Sequence, residues 1–109
     1  MDAHEEQVAR NEVLFREVNE RINEVDKGLG GGSSTLIFVC ECGRDDCAEQ
    51  IELTREEYEA VRADPKRFAV LPGHEDTRVA RVVERHRRYF VAEKRDEAAQ
   101  IATEHDPRS

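Results

Sequence analysis

Three cysteines stand close together as Cys40, Cys42 and Cys47 in the run CECGRDDC, and the rest of the 109-residue chain contains none. A chain of this length builds one small core rather than two. Here the core is short of material: 38% of the residues are hydrophobic, 6% are aromatic, there is no Trp, and 39% are charged. Domains so constituted often gain stability from a metal, a disulfide or a partner chain, so the cysteine cluster constrains the fold more than any other feature. Three small buried side chains that bind nothing would be an odd way to fill a core, although cysteine is often buried.

The spacing C-x-C-x4-C suits a metal. Residues two apart in a strand point the same way, so Cys40 and Cys42 can aim both sulfurs at one point, and the turn through Gly43 and two Asp can return Cys47 to it. That supplies three tetrahedral ligands, and a set of three Cys and one His is a recognised closed zinc site. His4, His74, His86 and His105 are the histidines available. His74 is the expected fourth ligand, because it follows Pro72-Gly73 in a turn that fixes its direction. His4 and His105 lie near the chain ends, and His86 sits in a run of Arg that repels a dication. Asp45, Asp46 or a water are the alternatives for that position. A water there would make a catalytic site, but no acid, base and nucleophile gather near it in sequence. A redox reading also exists: Arg44 would lower a neighbouring thiol's pKa, and Cys42 with Cys47 would close a disulfide loop.

Around the cluster, the pattern alternates helix and strand. From Ala3 to Asp26 nothing breaks a helix, and Val8, Phe15 and Ile22 repeat every seven residues with Asn11, Val18 and Val25 between them, an a/d stripe of about three heptads. Residues 27–35, KGLGGGSST, read as a flexible linker. Residues 36–109 then hold strands at Leu36–Cys40, Gln50–Leu53 and Phe68–Leu71, and a helix from Arg55 started by the Thr54/Glu57 capping box and stopped before Asp64-Pro65. Val79 to Lys94 reads as a hairpin turned by the polar HRR run, and Asp96 is expected to cap a last helix. The whole is an α+β chain: an amphipathic, coiled-coil-like helix over residues 1–26, then a zinc-stapled domain with a small antiparallel sheet and two helices.

A net charge of -8 argues against a general nucleic-acid binder. Residues 78 to 95 nevertheless carry seven Arg or Lys against two Glu. This strip is either a solvated face paired with the chain's own acids or an RNA contact in which Arg85, Arg87, Arg88 and Tyr89 hold phosphate and a base. No segment has the apolar run of a membrane span or signal peptide, so a cytoplasmic protein with reduced thiols is expected. The helix over residues 3–26 is the expected contact with a protein partner or a second copy of the chain.

The run FVCECGRDDCAEQIELTREEYEAVRADPKRFAVLPGHE, with NEVLFREVNERI before it and RVVERHRRYFVAEK after, resembles a group of small bacterial proteins with a C-x-C-x4-C knuckle, an LTxxEYE helix and a PGH turn. The resemblance spans residues 11 to 107, and Cys40, Cys42, Cys47 and His74 match the group's recurring positions. It implies a bacterial, self-contained protein and brings no enzymatic activity. On the residues alone the expected function is therefore a metal-binding interaction or regulatory module, with a thiol-based redox protein or a zinc-dependent enzyme as the competing class.

Overall fold

A computed structural model describes residues 3–28 and 35–108 of the chain. Helix α1 spans Ala3–Gly28, strands β1 and β2 span Leu36–Val39 and Gln50–Leu53, and helix α2 spans Arg55–Arg62. Strands β3, β4 and β5 follow at Arg67–Val70, Ala80–Arg85 and Phe90–Lys94, and helix α3 closes the order at Asp96–Glu104. The α+β class expected from sequence is the one observed. Residues 29–34 of the expected linker lie outside the described residues, and its first two residues, Lys27 and Gly28, are the last of α1.

Strand pairing follows from alternation. In the antiparallel pair β1–β2, Leu36 faces Leu53 and Phe38 faces Ile51, which puts four apolar side chains on one face and leaves Ile37 opposite Glu52 on the other. The second sheet has the order β3-β5-β4, all antiparallel, with a bulge in β4 between Val82 and Glu84. Five strands thus form two sheets where one was expected. The reason is local: Glu41 N–H donates to the carbonyl of Ala69, but the Ala69 N–H turns to the Glu41 carboxylate at 2.9 Å. A side chain replaces the backbone acceptor that a continuous ladder needs.

Helix α2 begins as its sequence dictates. Thr54 accepts from the N–H of Glu57, and the Glu57 carboxylate accepts from the N–H of Thr54 at 2.8 Å, so two orphan amides of the first turn are satisfied reciprocally. Tyr58 on this helix is fully buried and stacks on Phe38 with ring centroids 4.4 Å apart, which joins α2 to the β1–β2 pair. The start of α3 departs from expectation. Its N-cap is Arg95, with no side-chain cap bond, and Asp96 itself holds a positive φ of 51°. Asp96 is one of the few residue types that tolerate this region, so it makes the sharp exit from β5 rather than capping the helix.

Helix α1 lies against the body through a face the heptad pattern does not mark. Its fully or nearly buried residues are Val8, Ala9, Glu12, Arg16, Asn19, Glu20 and Asn23. Of the a/d stripe, Val8 is buried and Ile22 packs on the core edge, whereas Val18 and Val25 are exposed. Polar groups dominate the interface, and most of their atoms find partners, Arg16 Nε and Arg62 Nη1 being the buried exceptions. Arg16 donates to the carbonyls of Pro65 at 2.6 Å and Ala102 at 2.7 Å, with its guanidinium 4.6 Å above the Phe68 ring. Glu12 forms a buried ion pair with Lys94 of β5. Glu20 accepts from Tyr58 and from Arg62, which also binds Asp106 near the C-terminus. Buried charge is costly unless compensated: β5 and α2 supply cations for Glu12 and Glu20, while Arg16 is held by two backbone carbonyls and the Phe68 ring.

Candidate metal centre

Cys40 directly follows β1, and its N–H still donates to the carbonyl of Glu49, so the last rung of the β1–β2 ladder holds the base of the loop. The loop between is the cysteine knuckle. Cys47 N–H donates to the carbonyl of Arg44 at 3.2 Å, a tight turn that brings the third sulfur back toward the first two. His74 arrives from a separate segment after β3. There the N–H of His74 donates to the carbonyl of Leu71 at 2.9 Å, with Pro72 and Gly73 between them and Gly73 at φ 88°. That is the geometry of a type II turn, for which Pro and then Gly are the preferred central residues.

These two loops converge. The ligand atoms of Cys40, Cys42, Cys47 and His74 all lie within 4.8 Å of one another, the one such group of metal-ligating side chains found among the described residues. His74 Nδ1 stands 3.7 Å from the sulfur of Cys40 and 3.6 Å from that of Cys47. For a tetrahedral ion with metal–sulfur bonds of ~2.3 Å and metal–nitrogen bonds of ~2.0 Å, the sulfur–nitrogen edge comes to about 3.5 Å. Cys40 and Cys42 are buried, Cys47 and His74 half-buried.

Backbone amides complete the surroundings of the sulfurs. Leu71 N–H donates to the Cys40 sulfur at 3.2 Å, and the amides of Arg44 and Glu49 serve Cys42 and Cys47. Such donors favour the thiolate, the form a metal ligand must take. Among the thiols themselves, a hydrogen bond from Cys40 holds Cys42 far below the usual thiol range, at about 4, and the same bond with burial pushes Cys40 up. Burial pushes Cys47 up as well. The three thiols thus oppose one another's ionisation, and a divalent cation would let all three ionise together.

Between Cys40 and Cys42, Glu41 points the other way, into the protein. It is wholly buried, accepts from Asn19 at 2.7 Å and from Ala69, and burial pushes its carboxyl up. Just past the end of β1, two sulfurs thus go to the centre and one carboxyl to the interior, where it ties the knuckle to α1 and β3.

Gly43 is the point where the knuckle meets α1. Its φ is 77°, and a Cβ at this position would come 2.5 Å from the carbonyl oxygen of Val8 and 2.6 Å from Glu12 Cγ. Both the backbone conformation and the close approach require glycine. Asn11 then donates to the Gly43 carbonyl at 2.9 Å and to the Asp45 carboxylate at 2.6 Å. The heptad pattern places Asn11 on the a/d stripe, and nothing in the spacing links residues 11 and 43, so this contact is not visible in the sequence.

A groove of about 620 Å³ opens beside the centre, with His4, Gln7 and Val8 of α1 on one wall and Cys42, Asp46 and His74 on the other. His4, set aside in sequence for its place near the chain end, is thereby closer to the cluster than expected. His86 and His105 stand elsewhere. His86 bonds Glu84 at 2.8 Å and stacks on Tyr89 at the tip of the β4–β5 hairpin, and His105 ends α3 in an exposed position. Asp45 accepts the Asn11 amide instead of joining the cluster. Within the basic strip, Arg81 pairs with Glu93 and Arg88 with Glu52, while Arg85 lies over the Phe90 ring. No helix among the described residues is long and apolar enough to cross a membrane.

Compared with known proteins, the chain matches no family model, no curated protein and no solved structure.

Proposed function

We propose that the protein is a small metal-stapled module whose Cys40, Cys42, Cys47 and His74 Nδ1 hold one zinc ion in a structural role, and that it acts through contacts with other proteins. The observation that carries the reading is the pair of sulfur–nitrogen separations, 3.7 and 3.6 Å, which match the edge of a tetrahedral site made of three sulfurs and one nitrogen. Thiolate-rich tetrahedral sets favour zinc over the harder divalent ions, which prefer oxygen. Four protein ligands close the coordination shell, which is the mark of a structural rather than a catalytic zinc. The thin core supplies the need for it, since site formation and folding are coupled in small domains. Free thiols so disposed suit a reducing compartment, and we assign the protein to the cytoplasm on that ground.

Elemental analysis of protein purified without a His tag tests this directly. One zinc per chain is expected, lost in Cys47→Ser and His74→Ala and kept in His86→Ala and His105→Ala. Metal-free protein with full native stability would overturn the reading. The groove beside Cys42 and His74 favours a second reading, a reactive thiol centre open to small molecules. Alkylation of the thiols separates the two: a structural zinc protects them until a chelator is added, whereas a reactive centre is modified with the metal in place.

A further inference from the structure

Helix α1 forms a wall of the metal centre, although no residue of it is a ligand. Its Val8–Glu12 turn sits on Gly43 so closely that a methyl group would not fit between them. Asn11 holds the carbonyl of Gly43 and the carboxylate of Asp45, which brackets the loop segment next to Cys42 whose Arg44 amide faces the Cys42 sulfur. His4, Gln7 and Val8 line the groove together with Cys42 and His74.

We propose that α1 is the gate of the zinc centre: docked, it holds the knuckle in its ligating shape and restricts exchange of the ion, and loss of the ion releases the helix. This rests on the zinc reading above. The coupling must be reciprocal, because any free energy by which docking favours metal binding is the free energy by which metal favours docking. Asn11 meets the loop at a backbone carbonyl and one exposed acid, and Asn19 meets the buried Glu41 carboxylate at its base; the Asn11 contacts depend on the conformation in which Gly43 holds φ 77°. Release is open to this helix because its buried face is made mostly of Glu12, Arg16, Asn19, Glu20 and Asn23. Charged and amide groups regain hydrogen bonds in water on undocking, whereas an apolar face of the same size would not. Asn11 is in this scheme a positioning residue, acting on the sulfurs through the loop that carries them.

Release of zinc from the full-length protein to an excess of a colorimetric chelator is the test. Asn11→Ala and Gly43→Ala should release the ion about 10-fold faster than the wild type, the effect usual for loss of a group that orients metal ligands. Thr54→Ala, which weakens the fold at the α2 capping box, should release it at the wild-type rate. Hydrogen exchange supplies a readout that needs no variant: removing zinc should abolish amide protection in residues 8–20 of α1 while α2 keeps its own. Wild-type zinc release in Asn11→Ala, or equal protection of α1 with and without the ion, would overturn the gate and leave the zinc reading standing. A wild-type protein that takes up no zinc overturns both.

Discussion

Asn19 pairs with Val39 as a neighbouring strand would: the Val39 N–H donates to Asn19 Oδ1 at 2.8 Å, and Asn19 Nδ2 donates to the Val39 carbonyl at 2.9 Å. An exposed strand edge invites unwanted pairing, and here one residue of α1 satisfies both outward backbone groups at the end of β1. The same amide nitrogen reaches Glu41, so Asn19 also tethers the knuckle. Replacing Asn19 with Leu leaves the two backbone groups of Val39 and the Glu41 carboxyl short of partners in a buried place. The expected cost is about 3 kcal/mol, at the upper end for an unsatisfied buried group. Urea unfolding of the two proteins, compared at equal slope, measures it.

The ion pair of Glu12 with Lys94 joins α1 to β5 with both side chains only 3% exposed. Burial pushes the Glu12 carboxyl up to about 7 even with the ammonium beside it, so desolvation outweighs the attraction. Such a pair is weak evidence for stability, yet breaking it from one side is costly. Lys94→Met should destabilise by about 3 kcal/mol near neutral pH, and Glu12→Leu together with Lys94→Met should recover most of the loss. Thermal or urea unfolding of the single and double variants checks the sign. A double variant no better than Lys94→Met would mean that the pair is not the source of the cost.

Acid should loosen the far end of α1. The hydrogen bond from Arg108 holds Glu59 at about 2 against an ordinary 4.5, with Asn23 and Lys27 of α1 adding to it. A carboxyl depressed on folding contributes stability that is fully present above 4.5 and is lost as the pH falls toward 2. Glu59→Gln removes that contribution at every pH. The stability gap between wild type and Glu59→Gln should therefore narrow as the pH is lowered through this window, while the loss of metal in acid affects both proteins alike. A gap that stays constant down to about pH 2 would contradict the assignment.

The parts of this fold legible in sequence are those written locally. Thr54 and Glu57 state the start of α2 within four residues, and the order Leu71-Pro72-Gly73-His74 states both a turn and the histidine it aims. The expectation that Cys40 and Cys42 share a direction rests on strand alternation; β1 ends at Val39, yet the two sulfurs still meet in the four-donor cluster. The docking of α1 was not legible, for a physical reason. Periodicity finds the apolar face, but the face that docks is built from Glu12, Arg16, Asn19, Glu20 and Asn23, whose partners Lys94, Pro65, Ala102, Val39, Arg62 and Glu59 are scattered along the chain. The split of the strands into two sheets was equally hidden, since it turns on which atom of Glu41 the amide of Ala69 meets.

Helix α1 also turns an apolar edge outward. Leu14, Val18 and Val25 are about half exposed, at 54%, 42% and 54%, while Val8 is buried and Ile22 packs on the core edge. The heptad stripe is thus divided between the chain's own body and solvent. A stable dimer buries well over ~1,000 Å² in total, and an outward edge of three aliphatic side chains, Val18 and Val25 of the stripe with Leu14 beside them, falls short of that on its own. Self-association through α1 should therefore be weak and concentration-dependent, a shift in sedimentation from monomer toward dimer only well above micromolar concentration. Two pairs of replacements resolve the halves of the stripe. Val18→Lys with Val25→Lys should abolish the shift and leave unfolding unchanged, because surface substitutions away from packed groups cost within ~0.5 kcal/mol. Val8→Lys with Ile22→Lys should lower stability by several kcal/mol, on the order expected when charge is forced into packed positions, whether or not the protein associates. A tight dimer at micromolar concentration that survives the outward pair would show that some other surface joins the two copies.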